Sequence, residues 1–423
     1  MIQNHIKKSL SLFLTLLSIT IFNTQLYAQE RSFTEYKGKV VDAVTGNPLV
    51  FATISIDGTN IATVTNAEGE FTIKVPKNKT TKNILISYMG YKNKNIPVSE
   101  INKRNSKIKL QVLSVSLAEI NVFPKDANLL IKAVISRRNE NYMQDPMLMT
   151  GFYRETIKKR RIYASLTEAV VKIYKQPYRN FSPDQVKLLK ARKNVDYNKL
   201  DTLVLKLMGG PYNTLIMDIM KLPYMIISYD NLNKYNFELS NITKIDNRLI
   251  YVISFKQKEG VTEPLFYGLL YIESESMAII RATFQMNTKF KEEVNDLFIR
   301  KKPKGADVNV TNASYMVNYR ESNGKWYYSY SRGELDFKIN WKKKLFNSTY
   351  IARFEQAITD WEKAEQKSPF RPKERLKMNV ILPDENMGFG DKNFWGAYNV
   401  IEPEKPIENA IKKIQKNLKK LND

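Results

Sequence analysis

After an apolar leader, the chain reads as short alternating segments separated by turn residues. In Val50–Ile56 (VFATISI), Ala52, Ile54 and Ile56 alternate with Phe51, Thr53 and Ser55. That two-residue period belongs to a strand with one buried face. Glu70–Val75 (EFTIKV) places Phe71 and Ile73 on one side in the same way. Tyr36–Asp42, Ile61–Thr65, Ile84–Tyr88, Tyr91–Val98 and Ile108–Val112 complete a set of seven short strands. Thr45-Gly46-Asn47-Pro48, Asp57-Gly58, Asn66-Ala67-Glu68-Gly69 and Met89-Gly90 supply turns between them. Short strands with turns at roughly 8–12-residue intervals predict a small antiparallel sandwich over residues 36–113.

Residues 114–127 have the composition of a linker. Asp126 can cap a helix over Ala127–Asn141, with Leu130, Ile131, Val134 and Ile135 on one stripe. Residues 146–360 are mainly β in pattern. Met149–Ile157 and Tyr163–Tyr174 flank the basic turn Lys158–Arg161. Leu249–Lys256, Leu265–Ile272 and Met277–Asn287 are consecutive strands. Tyr315–Arg320 and Lys325–Arg332 flank Ser322-Asn323-Gly324, a strong hairpin signal, and Leu335–Trp341 and Ser348–Ala357 continue the meander. Two helices interrupt it. Ser182-Pro183 reads as the cap and first position of a short one, and Thr214–Leu222 (TLIMDIMKL) as a largely apolar one. This order predicts an α+β unit over residues 128–361, with a curved, half-barrel-like antiparallel sheet wrapped around helical segments. Residues 362–423 read as an extended segment followed by an amphipathic helix over Pro406–Leu421, apolar at Ile407, Ile411, Ile414, Leu418 and Leu421. The predicted class is therefore mainly β with helices.

Three sets of residues carry resemblances. Gly38, Val40 and Asp42; Thr45, Gly46, Pro48 and Leu49; Ala52, Ile54 and Ile56; Gly58 and Thr59; and Thr65, Asn66, Gly69 and Phe71 form a motif series. It resembles the carboxypeptidase regulatory-like domain, a transthyretin-like β-sandwich. Asn66 stands where that family commonly has Asp, which weakens any ion-binding role there. Such sandwiches accompany zinc carboxypeptidases and precede the plug of outer-membrane transporters, but neither the peptidase nor a transporter barrel fits this chain. Tyr251–Phe255, Tyr267–Ile272 and Ala278–Arg281 resemble a hairpin of LolA-like half-barrels, with Glu273 where Asp is usual. Finally, Gly151–Glu155 (GFYRE), Glu168–Tyr174 (EAVVKIY) and Phe394–Asn399 (FWGAYN) resemble fragments of uncharacterised Gram-negative envelope proteins that join the regulatory-like sandwich to a β region. That resemblance implies no activity.

The leader sets the address. Lys7 and Lys8 precede the 13-residue apolar run Leu10–Phe22, and Leu26-Tyr27-Ala28 ends in a small residue. Residues 1–28 read as a signal peptide cleaved between Ala28 and Gln29. The run is shorter than the roughly 20 residues of a spanning helix. No Cys follows the cleavage point, so a lipoprotein is excluded. The expected location is the periplasm or the periphery of the outer membrane.

Composition then narrows the chemistry. The chain of 423 residues has no Cys and a single His, His5, inside the leader. Disulfides, thiolate nucleophiles, His-based triads and the usual zinc sites are excluded from the exported chain, and zinc carboxypeptidase activity is not expected. Lys and Arg outnumber Asp and Glu by 67 to 43, a formal charge of +24, spread over both parts. Basic runs at Lys158–Arg161, Lys301–Lys304 and Lys342–Lys344 fit solvated strand ends or attraction to an anionic surface; nucleic acid is not an expected partner. Ser322–Lys325 has the S-x-x-K spelling, but on a turn rather than the helix that chemistry needs. Glu273 and Glu275 could pair as acid and base. Asp230, Asn231, Asn233 and Asn236 offer oxygens to calcium without EF-hand spacing. Trp326, Tyr327, Tyr328 and Tyr330 could stack on sugars, although such stripes usually build a core.

The resulting expectation is a non-enzymatic, envelope-associated binding or scaffold protein without cofactor, catalytic residues or metal. Its partner would be an envelope protein or an anionic membrane surface. The alternatives are a periplasmic carrier of a lipid or lipidated protein and a carboxylate-based hydrolase. N-terminal sequencing of the exported protein should begin at Gln29 or within a few residues. An intact Met1 terminus in the inner-membrane fraction would instead identify an uncleaved anchor.

Overall fold

The computed structural model describes residues 33–77, 83–113, 126–195, 207–245, 248–300, 304–342, 347–385, 394–409 and 411, and its alternating N-terminal segments become seven strands. These are Phe33–Asp42 (β1), Thr53–Ile56 (β2), Ala62–Val64 (β3), Glu70–Pro76 (β4), Asn83–Ser87 (β5), Lys94–Pro97 (β6) and Ser106–Leu110 (β7). They form two sheets, ordered β4-β1-β7 and β3-β2-β5-β6. Ile54, Ile56, Phe71, Ile73, Ile84 and Ile86 meet between them and are at most 1% exposed. One pairing corrects the all-antiparallel expectation: β7 runs parallel to β1. The chain changes sheets between β6 and β7, so no tight hairpin sets their direction.

The motif residues of the sandwich serve its turns. Asp42 accepts from the Val44 and Thr45 amides and the Tyr91 hydroxyl, and these bonds hold its carboxyl down at about 2. Thr65 Oγ1 accepts from Ala52 N and donates to Leu49 O. Asn66 Oδ1 accepts from Glu68 N and Glu70 N, which gives it a structural role without an ion.

Ala127–Ser136 (α1) follows, capped by Asp126 Oδ1, which accepts from Asn128 N at 2.8 Å. It ends five residues before the expected limit of Asn141, and Arg138–Asn141 (α2) makes a separate turn. Ten strands then build one open antiparallel sheet. They are Met147–Lys159 (β8), Ile162–Lys175 (β9), Gln185–Val195 (β10), Tyr235–Ile245 (β11), Arg248–Gln257 (β12), Phe266–Glu273 (β13), Ile279–Met286 (β14), Ala306–Ser322 (β15), Lys325–Trp341 (β16) and Ser348–Lys363 (β17). Their order is β10-β9-β8-β17-β16-β15-β14-β13-β12-β11. The fold is mainly β, with a transthyretin-like sandwich and a larger curved, half-barrel-like sheet.

That order dictates what covers the sheet. β10 and β11 are consecutive in the chain but lie at opposite edges, about 43 Å apart at ~4.8 Å per strand. The connection must cross a whole face. Its described part carries Tyr212–Leu215 (α3) and the buried Met217, Ile219, Met220, Ile226 and Ile227, which join α1 in the core against that face. The predicted helix over Thr214–Leu222 is therefore corrected. Apolar groups lie all around this segment because it fills a core, and the chain turns at Asp218, whose carbonyl accepts from Lys221 N and Leu222 N.

The predicted helix at Ser182-Pro183 is also replaced, by the run into β10. Asp184, which would have favoured a helix start, accepts instead from Lys175 Nζ at 2.7 Å and Gln176 N at 2.8 Å. The Asn323-Gly324 hairpin forms as expected, with φ of 52° and 72°, values that suit these two residues. Ala28, Gln29 and the rest of the leader, linker residues 114–125 and tail residues 412–421 lie outside the described residues. Residues 405–409 and 411 are helical, with Ile407 buried. Among the described residues no helix is long and apolar enough to cross a membrane.

Phe71 is 1% exposed in the sandwich core. Phe71→Ala should lower the stability of the protein by about 3–5 kcal/mol. Denaturant unfolding checks this, and an unchanged midpoint would mean that Phe71 faces water.

Candidate binding cleft

Two buried ion clusters fix the geometry around the site, one on each face of the large sheet. On the outer face, Arg154 of β8 and Glu168 of β9 pair at 2.7 Å with side chains 3% and 0% exposed. Glu168 also holds Arg192 of β10 at 2.6 Å, and Arg154 reaches Glu355 of β17 at 3.3 Å. Burial alone would raise the Glu168 carboxyl, but Arg154 and Arg192 outweigh it and hold it below its ordinary range. Arg154 Nη2 donates to the Ile401 carbonyl at 2.7 Å. Residues 394–402 thus lie as a strap over the sheet. The strap also grips the sandwich: Lys74 N donates to Asn399 Oδ1 at 2.7 Å, Thr63 Oγ1 to Val400 O at 3.1 Å, and Lys74 Nζ to the Gly396 and Tyr398 carbonyls. Phe152 meets Trp395 edge-on at 5.4 Å. The fragments containing Arg154, Glu168 and Trp395 therefore converge in space.

On the concave face, Lys175 is fully buried between Asp184 at 2.7 Å and Asp218 at 2.8 Å. Asp218 also accepts from the Tyr178 and Tyr319 hydroxyls, each at 2.8 Å. This cluster pins the crossing segment to β9 and β15. Burial pushes Lys221 down to about 8, but its ammonium donates to Pro177 O, Asn180 O and Asn180 Oδ1, so it secures a loop. Glu155, buried beside the Tyr153 hydroxyl at 2.8 Å, is pushed up to about 7 by burial.

The cleft opens between the sandwich and the outer face of β14–β16, with a volume of about 380 Å³. Its sandwich wall is the outward set of β2 and β5, including Thr53, Ser55, Leu85 and Ser87. These alternate with the buried Ile54, Ile56, Ile84 and Ile86, so the strand period itself creates the wall. The sheet wall includes Arg281, Asn318 and Arg320, which alternate with the inward-facing Ala282, Val317 and Tyr319. Arg320 Nη2 donates to Asn60 O at 2.6 Å, Asn60 Nδ2 donates to Trp361 O at 2.9 Å, and Gly90 N donates to Lys244 O at 2.9 Å, so the walls are tied together.

The cations of the cleft are held differently from those of the ion clusters. Arg281 Nε donates to the neutral amide oxygen of Asn318 at 2.9 Å, and burial lowers its pKa. Arg320 stacks 4.1 Å from the Trp361 ring centre, and burial pushes it down to about 9, opposed by Asp360. Arg248 pairs with Glu321 at 3.6 Å and lies over Trp326. Asp57 is the other carboxylate in the lining. Such a wall can receive an anion by paired N–H donors.

The residues singled out from the sequence mostly go elsewhere. Glu273 is buried and accepts from Glu275 N at 3.1 Å and Ser276 N at 2.8 Å, so it caps a turn and does not pair with Glu275 as acid and base. Asp230, Asn231 and Asn233 lie on the turn Tyr229–Lys234, where Asn231 donates its amide to Tyr224 O; Asn236 lies on β11. Ser322 and Lys325 end opposite strands of the hairpin, and Lys325 Nζ donates to Glu140 O. Trp326 and Tyr328 enter the concave core, but a bulge at Ser329 sends Tyr330 to the outer face, where it stacks on Phe51 at 5.2 Å. Lys158–Arg161 forms the β8–β9 hairpin tip. Arg248, Arg281 and Arg320 were absent from the sequence candidates. Their signal is faint: an arginine inside an otherwise apolar alternation, as in Ile280-Arg281-Ala282.

A family model, the CarboxypepD_reg-like domain, matches residues 36–122. No curated protein matches the chain. Among solved structures, the chain is similar to a domain described as an outer membrane lipoprotein-sorting protein of Vibrio parahaemolyticus. Identity is 9% and the TM-score 0.25, over 58% of this chain and 96% of that one. It is also similar to a DUF1329 family protein of Desulfovibrio piger, at 10% identity and a TM-score of 0.23, over 57% of this chain and 95% of that one. Neither superposition is close enough to carry an argument about function.

Removing one partner of a buried ion pair leaves the other charge uncompensated. Glu168→Gln should therefore cost about 3–5 kcal/mol at neutral pH, read by denaturant unfolding. The folded pKa of Glu168 is depressed, so its stabilisation is present above the unfolded carboxyl value and is lost as pH falls through the folded value. The gap between wild type and variant should close in acid; a gap independent of pH would refute the assignment.

Proposed function

We propose that this chain is an exported, envelope-associated binding protein, non-enzymatic in action, with its regulatory-like sandwich fixed as one wall of a ligand cleft. The cleft itself carries this reading. Outward strand faces from both parts enclose about 380 Å³, within the range of small-ligand sites at domain interfaces. The strap and the Asn60 bonds hold those walls in register. Export and periplasmic residence rest on the leader over residues 1–28 and its cut between Ala28 and Gln29.

A carrier that shelters an acyl chain inside the half-barrel is the second reading. The open ten-stranded sheet favours it. Against it, the concave face is filled by Leu215, Met217, Ile219, Met220 and α1, so a lipid would have to displace the crossing segment.

A photocrosslinking residue at Ser55, on the cleft wall, tests the first reading. Irradiation in envelope extracts should give a discrete adduct that is missing from the same substitution at Val44, an exposed position outside the cleft lining. Equal labelling at both positions would defeat it. Organic extraction of the purified protein that yields one acyl chain per molecule would favour the carrier.

A further inference from the structure

Of the buried cations among the described residues, Arg154 and Lys175 are matched by carboxylates, and Lys74 and Lys221 by several carbonyl oxygens each. Arg154 and Arg192 share Glu168, and Lys175 sits between Asp184 and Asp218. Arg281, half-buried in the cleft wall, is held by less than either arrangement. Among the described residues its hydrogen-bonding partner is the neutral Asn318, and the groups that act on its charge are the phenols of Tyr88, Tyr271 and Tyr330. Arg320, on the next strand and the same face, uses one nitrogen on the Asn60 carbonyl and stacks on Trp361, with Asp360 the carboxylate that acts on its charge. The rim carboxylates do not supply the missing charge to Arg281: Glu321 is paired with Arg248, and Asp57 lies exposed at the sandwich turn.

We infer that Arg281 and Arg320 form the anion subsite of the cleft, and that its ligand carries a carboxylate or phosphate group. Guanidinium forks match the planar oxygens of either group, and a desolvated fork gains most from an ionised acceptor. Ser55, Ser87 and Ser329 line the same space and offer hydroxyls to further oxygens of the ligand. The volume admits a small acidic molecule or the headgroup of an acidic lipid, not a folded partner.

This inference rests on the cleft being the binding site, so the test separates the two. The exported full-length chain is titrated with inorganic phosphate, with glucuronate, and with phosphatidylglycerol vesicles, each against chloride at matched ionic strength. Thermal midpoint and tryptophan fluorescence are read, since Trp361 and Trp326 lie under Arg320 and Arg248. At least one probe should raise the midpoint beyond chloride. In Arg281→Gln its apparent affinity should fall by roughly tenfold or more. Response to phosphate or glucuronate alone identifies a free small anion, and response to vesicles alone identifies a lipid headgroup; either supports the subsite. Ser87→Trp, which fills the cleft from the sandwich side and leaves both arginines intact, should abolish the response even if Arg281→Gln folds poorly. No anion response beyond chloride, or an equal response in both variants, would overturn the inference. A Ser55 photoadduct that persists in Arg281→Gln would sink the anion subsite while leaving the binding cleft standing.

Discussion

The contact between Arg154 and Glu168 is the constraint on which the rest of the outer face depends. A carboxylate at 0% exposure is tolerable only because two guanidiniums surround it. Arg154 then has donors left over, and one of them takes the Ile401 carbonyl. That bond fixes the strap, and the strap fixes the sandwich through Lys74 and Thr63. A charge pair between neighbouring strands thus determines where a separate β-sandwich sits. Its effect is geometric more than energetic, since a well-packed apolar pair can be as stable but cannot direct a donor at a chosen carbonyl.

The opposite face follows from topology. Because β10 and β11 occupy opposite edges, the connection between them is both a linker and a core. Lys175 and Asp218 settle where it lies, while Leu215, Ile219 and Met220 supply the burial. A half-barrel of this kind is lined by its own chain, and the cleft opens on the outside, where the sandwich approaches.

Local pattern made the sandwich legible. Ala52, Ile54 and Ile56 alternate without interruption, and their turns carry Gly and Asn where the backbone needs them. The long strands β8, β9 and β12–β17 were legible for the same reason. What failed was tertiary in origin. Thr214–Leu222 looks helical until the crossing path is known, since apolar groups on every side suit either a buried helix or irregular filling. Ser182-Pro183 has helix-start chemistry, but Lys175 claims Asp184 and β9 claims the residues that follow. The stripe Trp326, Tyr328, Tyr330 has the spacing of one face, yet a single extra residue at Ser329 divides it between two cores. The cleft was illegible because Arg281 and Arg320 belong to different strands, and the wall opposite them comes from the distant strands β2 and β5 near the start of the chain.

That distance gives the arginines of the cleft their meaning. A chain with 67 basic groups has no shortage of cations for its surface, and among the described ones Lys74, Arg154, Lys175 and Lys221 are the buried ones. Placing two under a second domain costs desolvation that the fold could have avoided with Gln or Met at the same positions. Elsewhere the same fold meets such a cost with carboxylates, as Glu168 and Asp218 do, or with several carbonyl oxygens, as at Lys74 and Lys221. At Arg281 it supplies Asn318, which orients the guanidinium through Nε and leaves the positive charge uncancelled. Among the described residues Arg281 bonds through Nε alone, which leaves the rest of its fork facing the cleft. That fork lies where a sandwich face meets a sheet face. The strap, bonded to the sandwich at Lys74 and Thr63 and to the sheet at Arg154, fixes where the wall opposite Arg281 stands.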